Sequence, residues 1–72
     1  MNHATRTSLQ DAFRRKFVRY PHEGVTAWKT RLAFAIADIN VTLKLHPHDS
    51  TYAQRLYVEL DEARVAYTLA TR

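Results

Sequence analysis

Residues 28–45 read WKTRLAFAIADINVTLKL, and this stretch decides the fold because its apolar residues recur every three or four positions. That period is typical of an α-helix. One apolar stripe consists of Trp28, Leu32, Ile36, Ile39 and Leu43. A second consists of Phe34, Val41 and Leu45, and at about 100° per residue it lies about 180° around the helix from the first. Such a helix has two opposite apolar sides to cover.

Residues 52–70, YAQRLYVELDEARVAYTLA, show the same doubled pattern. Their first stripe consists of Tyr52, Leu56, Leu60, Ala63, Tyr67 and Ala70. Their second stripe, Val58, Val65 and Leu69, repeats the i, i+7, i+11 spacing of Phe34, Val41 and Leu45. Two such helices have more apolar surface than a chain of 72 residues needs for its own core. The pattern therefore indicates a protein that binds another macromolecule.

Turn and capping residues divide the chain into three helical segments. Ser8, with Asp11 three residues later, resembles a shortened capping box, and Pro21 ends that segment. Thr26 is the expected N-cap of the next segment, and Asp49 or Ser50 caps the last one after the break at Pro47. We expect one all-α domain over residues 1–72, with a flexible arm at 1–7 and helices at about 8–20, 26–45 and 51–69. The short basic first helix should pack on a long antiparallel αα-hairpin formed by the other two.

Composition excludes several classes of protein. The absence of cysteine excludes disulfides and thiolate metal sites, and the single glycine excludes a P-loop or a dinucleotide-binding motif. No stretch approaches the roughly 18 apolar residues of a membrane span, and residues 1–10 lack the apolar centre of a signal peptide. We therefore expect a cytoplasmic protein with no membrane partner and no cofactor.

The side chains that could perform chemistry do not form a recognisable site. His46 and His48 flank a proline beside Asp49, but a third close ligand is missing, so they are interpreted as turn residues and not as metal ligands. Ser8 and Ser50 are explained as caps, and the acidic residues Glu59, Asp61 and Glu62 point to differing sides of their helix. The sequence predicts a protein that is not an enzyme.

The strongest polar binding signal is the segment FRRKFVRY at residues 13–20, in a chain with a formal net charge of +4. We predict a cationic partner-binding face consisting of Arg6, Arg14, Arg15, Lys16 and Arg19. The alternative is a core helix whose basic side is merely solvated. The apolar side of this helix consists of Leu9, Phe13, Phe17 and Tyr20, and its connection to the second helix suggests that it covers Phe34 and Val41.

That packing would leave Val58, Val65 and Leu69 exposed, so they are the predicted apolar partner-binding stripe. The alternative is that these three are scattered surface residues, with the N-terminal arm folded over the rest. Tyr57 and Arg64, at i, i+7 beside the core stripe, are residue types enriched in binding hot spots and are further candidates. Packing of Tyr57 on the first helix is the alternative for that residue.

These features favour a small non-enzymatic regulator or inhibitor that docks onto a larger protein with an acidic surface. Its size, lack of cysteine and basic helical make-up are similar in general type to small phage or mobile-element proteins that redirect host machinery such as RNA polymerase or a nuclease complex. That likeness includes no motif and assigns no residue. One alternative is a DNA- or RNA-binding protein, dimeric through the exposed stripe, with Arg14, Arg15, Lys16 and Arg19 on phosphates. Another is a structural subunit that assembles with itself.

Overall fold

The computed structural model describes residues 3–72, and it describes side chains from residue 4 onward. Three helices follow one another along the chain: α1 (His3–Phe17), α2 (Val25–Lys44) and α3 (Thr51–Ala70). No strand occurs in these described residues, so the predicted all-α class is confirmed. None of the three helices, over the residues described, is long and apolar enough to cross a membrane.

The α2–α3 hairpin packs along the first stripe of each helix. Leu32 and Ile39 of α2 are buried, as are Leu56 and Leu60 of α3. The hairpin is antiparallel, because Trp28 at the start of α2 lines the same groove as the end of α3. Four buried alanines, which let the helices approach closely, contribute to the α3 side of the core: Ala53, Ala63, Ala66 and Ala70. The tyrosines expected in that stripe are less buried, since 49% of Tyr52 and 37% of Tyr67 are exposed.

Helix α1 packs on the other side of α3, so α3 is the central helix of the domain. Phe13 and Phe17 of α1 join the core together with Val58, of which only 1% is exposed. The expectation that α1 covers Phe34 and Val41 and leaves Val58 exposed is therefore wrong. Its failure has an electrostatic reason. The α1-facing side of α3 has three carboxylates that pair with α1 cations, whereas Asp38 is the only acidic residue of α2.

The helix boundaries differ from the predicted ones mainly in α1. This helix already includes His3 and ends at Phe17, so Ser8 lies inside it and residues 3–7 are helical instead of a flexible arm. Residues 1–2 of that predicted arm lie outside the described part of the chain. Gly24, not Thr26, occupies the N-cap of α2, in an extended conformation with φ −69° and ψ 160°. Ser50 caps α3 through its hydroxyl, which accepts a 3.0 Å hydrogen bond from the Ala53 amide.

The two valines Val58 and Val41 provide a matched test of which second stripe is covered. We expect Val58→Ala to lower the free energy of unfolding by roughly 2 kcal/mol, because it removes buried methyl groups and leaves a cavity. Val41→Ala, at a side chain that is 57% exposed, should change it by less than about 0.5 kcal/mol. Urea denaturation followed by circular dichroism measures both. Equal effects, or a larger effect at Val41, would contradict the observed position of α1.

Candidate functional site

One arginine of α2 organises the connection between α1 and α2. The Arg31 guanidinium donates from Nε to Glu23 Oε2 and from Nη2 to Glu23 Oε1, both at 2.9 Å. The same group also donates to two α1-end carbonyls, those of Lys16 at 3.1 Å and Val18 at 2.6 Å. The last carbonyls of a helix have no intrahelical partner and carry partial negative charge, so a cation there stabilises the helix end. Arg31 thus caps the C-terminal end of α1 and links it to α2 through hydrogen bonds.

Trp28 provides a second hydrogen bond between α2 and the end of α1. Its indole Nε1 donates a 2.8 Å hydrogen bond to the Phe17 carbonyl, the last residue of α1. Trp28 and Arg31 are three residues apart and therefore lie on neighbouring positions of one helix side. Together they satisfy three successive carbonyls of the α1 end. This explains why α1 ends at Phe17 although the sequence would let it continue to Tyr20.

The connecting loop closes around the same guanidinium. The Tyr20 ring stacks on Arg31, with its centroid 4.1 Å from the guanidinium carbon. Glu23 accepts a 3.2 Å hydrogen bond from the Tyr20 amide. The hydrogen bond from Arg31 holds the pKa of Glu23 below its ordinary value, although partial desolvation acts in the opposite direction. The pKa of Arg31 rises for the reciprocal reason, so both groups stay charged at neutral pH.

The fixed loop forms one wall of an open apolar groove of about 400 Å³. Trp28 forms a second wall, and the last turns of α3 form the third, with Val65 56% and Leu69 50% exposed. Arg14 and Arg19 lie at its border. Its remaining lining residues are Phe17, Val18, Glu62 and Ala66. A concave, mostly apolar surface with a few charged groups at the edge is the common form of a binding site.

The predicted cationic face is largely engaged inside the molecule. Arg6 lies 3.8 Å from Asp61, and Lys16 lies 3.1 Å from Glu59. Arg14 reaches Glu62, the buried carboxylate of α3, at 3.4 Å. Glu59, Asp61 and Glu62, which the sequence pattern places on differing sides of their helix, thus all pair with cations of α1. Each ion pair with such an exposed cation contributes little stability, and only the three together favour α1 on this side of α3 over the side of α2, which offers Asp38 alone.

Arg15 and Arg19 are the members of the predicted face that form no ion pair or hydrogen bond within the described residues. Both side chains are exposed, and Arg19 lies at the groove. The charge of Arg19 also helps to lower the pKa of Glu23. The cationic surface left for a partner is thus smaller than the sequence suggests, and its Arg19 part adjoins the apolar groove.

The predicted apolar stripe is divided by the structure. Val65 and Leu69 are exposed and line the groove, so they remain candidates for partner binding. Val58 is buried under α1 and cannot contact a partner, which removes it from the candidate set. The exposed second stripe is that of α2, with Phe34 72%, Val41 57% and Leu45 76% exposed.

Tyr57 and Arg64 lie at a different place, an opening of about 580 Å³ beside the α2–α3 turn. The Tyr57 hydroxyl is 2.6 Å from His48 Nδ1, so this tyrosine packs on the turn and not on α1. His46 likewise packs edge-on against the Tyr52 ring, with centroids 4.6 Å apart. The described residues contain no group of three or more acidic or histidine side chains that could hold a metal ion. Both predicted hot-spot residues are therefore separate from the groove.

Comparison of this chain with protein-family models, with curated proteins and with solved structures finds no match.

The sequence does not identify Val18 and Trp28 as residues that line a groove, or Arg31 as the residue that fixes the adjoining loop. The apolar pattern places Trp28 in the core stripe, and this residue does pack against the core. The pair Glu23 and Arg31 is the one feature of the sequence that indicates the closed loop, since an acid just before a helix can pair with a base in its second turn. The sequence does not show that the same arginine also caps α1.

Replacement of Arg31 tests its role in joining α1 to α2. We expect Arg31→Met, which keeps an apolar stem, to lower the free energy of unfolding by about 2 kcal/mol, because it removes charge-assisted hydrogen bonds. Arg31→Lys should lower the free energy of unfolding by less than Arg31→Met does, because it keeps the charge. It should still be less stable than the wild type, because an ammonium cannot reproduce the planar fork. The matched control is Arg15→Met, expected to change stability by less than about 0.5 kcal/mol. Chemical denaturation measures all three, and equal losses at Arg31 and Arg15 would contradict the assignment.

The lowered pKa of Glu23 leads to a pH-dependent prediction. Because its folded-state pKa lies below the unfolded one, the stabilisation is complete above the ordinary glutamate range and is lost as the pH falls through the folded pKa. The wild type should therefore exceed Glu23→Gln in stability at neutral pH, and the gap should narrow as the pH falls below the ordinary glutamate range and through the lowered folded pKa. Denaturation midpoints across this range measure the gap. A gap that stays constant with pH would show that Glu23 is not held by Arg31 in solution.

Proposed function

We propose that this protein is a small non-enzymatic regulator that binds a helical segment of a larger protein in the groove formed by the α1–α2 loop, Trp28 and the end of α3. The single observation that carries this proposal is the apolar groove with Val18, Val65 and Leu69 exposed in it and with Arg14 and Arg19 at its border. Apolar surface gathered in a concavity indicates an interaction site more strongly than scattered surface residues do.

The shape of the groove favours a helix as its occupant. Its α3 wall presents Val65 and Leu69 one helical turn apart, which suits the ridge of an amphipathic helix with apolar residues at i, i+3, i+4 and i+7. Trp28 lines the groove while its indole nitrogen is already hydrogen-bonded to Phe17, so a ligand meets the ring as an apolar surface. Because Arg31 fixes the loop wall and the other two walls belong to helices, little ordering entropy is lost on binding.

The charge at the border favours an acidic partner. Arg19 has no ion-pair partner in the described part of the chain, and Arg14 is shared with Glu62 and Asp11. Acidic residues beside the apolar ridge of a partner helix would face these arginines. Charge of this kind mainly accelerates the encounter, whereas apolar contacts set the lifetime of the complex.

The regulatory consequence follows from occupancy. A partner helix whose apolar side lies in this groove cannot pack on its usual neighbour in the larger assembly, so binding would inhibit that assembly or hold one of its conformations. This mode of action needs no catalytic group. The lining residues described for the groove include no histidine and no serine that could act as base or nucleophile. In this proposal the larger assembly is of the kind represented by an RNA polymerase or a nuclease complex.

The proposal can be tested with a panel of helical peptides whose apolar ridge is edged by glutamate. Trp28 is the only tryptophan of the chain and lines the groove, so its fluorescence reports occupancy directly. We expect Leu69→Glu to weaken binding by at least about tenfold, because it places a charge in the apolar contact and repels the acidic edge. The matched control is Leu45→Glu, an equal charge change at an exposed leucine outside the groove, which should leave the affinity unchanged.

Two further arms separate the alternatives. Peptides with lysine in place of glutamate should bind at least about tenfold more weakly, and Arg19→Glu should slow association of the acidic peptides. If no acidic peptide binds better than its lysine counterpart, the proposed partner chemistry is wrong. Random duplex and single-stranded DNA serve as the nucleic-acid arm. Micromolar binding of either at physiological salt, weakened by Arg15→Glu but not by Leu69→Glu, would favour the nucleic-acid hypothesis instead.

A further inference from the structure

The outer side of α2, opposite its buried residues Leu32 and Ile39, is apolar and uncovered. Phe34 and Leu45 are the most exposed large apolar side chains of the described residues, at 72% and 76%. Neither contributes to the groove. We define the α2 seam as seven exposed residues along this side: Ala27, Thr30, Phe34, Ala37, Val41, Lys44 and Leu45.

The spacing of the α2 seam matches a helical partner. Residues 27, 30, 34, 37, 41 and 44 alternate steps of three and four, which is the a/d pattern of a coiled-coil seam. The buried residues Leu32 and Ile39 occupy the f positions of the same heptad, on the far side of the helix. One side of α2 thus packs on α3, while the other has the pattern of a second helix–helix contact.

Side-chain size makes the α2 seam complementary to itself. The large residues Phe34 and Val41 occupy a positions, whereas the d positions at their level hold the smaller Ala37 and Thr30. In an antiparallel two-fold pair, a residues pack against d residues of the other copy. Phe34 would then lie against the partner's Ala37, and Val41 against the partner's Thr30. Such a two-fold contact uses the same surface on both copies and closes on itself.

We propose that the protein forms an antiparallel homodimer through the α2 seam, with the two grooves left open. The α2 seam extends over about 27 Å of helix and would bury roughly 1,000 Å² in total, in the range of weak interfaces and below the roughly 1,200 Å² at which stable ones begin. The dimer is therefore weak, and its population depends on concentration. No residue of the α2 seam lines the groove, so the dimer is bivalent for the proposed partner, and two linked sites bind a repetitive target more tightly than one.

Sedimentation across a concentration series tests the dimer, with Phe34→Glu as the disrupting variant. The wild type should pass from monomer to dimer between low micromolar and near-millimolar concentration. Phe34→Glu should weaken the association by at least about tenfold, because it buries a charge at the centre of the contact. Leu69→Glu, the groove variant, provides the matched control and should dimerise like the wild type.

The two substitutions also separate this inference from the proposed function. Phe34→Glu should retain peptide binding at each groove while losing self-association, and Leu69→Glu should do the reverse. A wild type that stays monomeric at the highest concentration, or a Phe34→Glu variant that dimerises normally, would overturn the homodimer. Neither result bears on peptide binding in the groove.

A spin label attached through Thr26→Cys, an exposed position outside the α2 seam, tests the antiparallel arrangement, because the chain has no cysteine of its own. The antiparallel register places residue 26 level with the partner's residue 45, so the two labelled backbones lie about 29 Å apart along the helix axis. A pulsed electron-spin distance of that order supports the arrangement. A distance near about 10 Å, the spacing of side-by-side helices, would show a parallel pair and contradict it.

Discussion

The α1–α2 junction depends on one charged group, the guanidinium of Arg31. It donates to both carboxylate oxygens of Glu23 and to carbonyls at the end of α1, while Tyr20 stacks on it. A single planar fork can serve all these partners because its donors are fixed relative to one another. The hydrogen bonds of Arg31 therefore set the position of the loop, the end of α1 and the loop wall of the groove. Trp28 strengthens the same junction through the Phe17 carbonyl.

The second constraint is that α3 must be covered on two sides. Its alanines and leucines pack on α2, and its Val58 side packs on α1. Carboxylates flank that second side, and they select the basic helix as its cover through pairs such as Lys16 with Glu59. Once α1 is used in this way, nothing in the described chain remains to cover Phe34 on the outer side of α2. The groove and the exposed α2 seam thus have the same origin: α1 is short and packs on α3, not on α2.

The fold class could be predicted because it depends on local periodicity, which a sequence displays directly. The cap at Ser50 could be predicted for the same reason, since it needs only residues close in the chain. The partner of α1 could not. Val58 and Val41 occupy equivalent places in two similar stripes, so apolar pattern alone does not distinguish them, and the choice depends on long-range pairs such as Arg14 with Glu62. The groove could not be predicted either. Its loop wall depends on hydrogen bonds from Arg31 to backbone carbonyls at the end of α1, and such bonds leave no pattern in the sequence.

The central claim is that α1 packs on the Val58 side of α3 and leaves the outer side of α2 bare. A nuclear Overhauser spectrum of the dilute wild-type protein tests it most directly, because it detects which methyl groups lie beside which aromatic rings. The account predicts cross-peaks from the Phe13 and Phe17 rings to the α3 core around Val58, and none from Phe34 to any residue of α1. Cross-peaks between Phe34 or Val41 and the α1 aromatic rings, with Val58 lacking them, would contradict it.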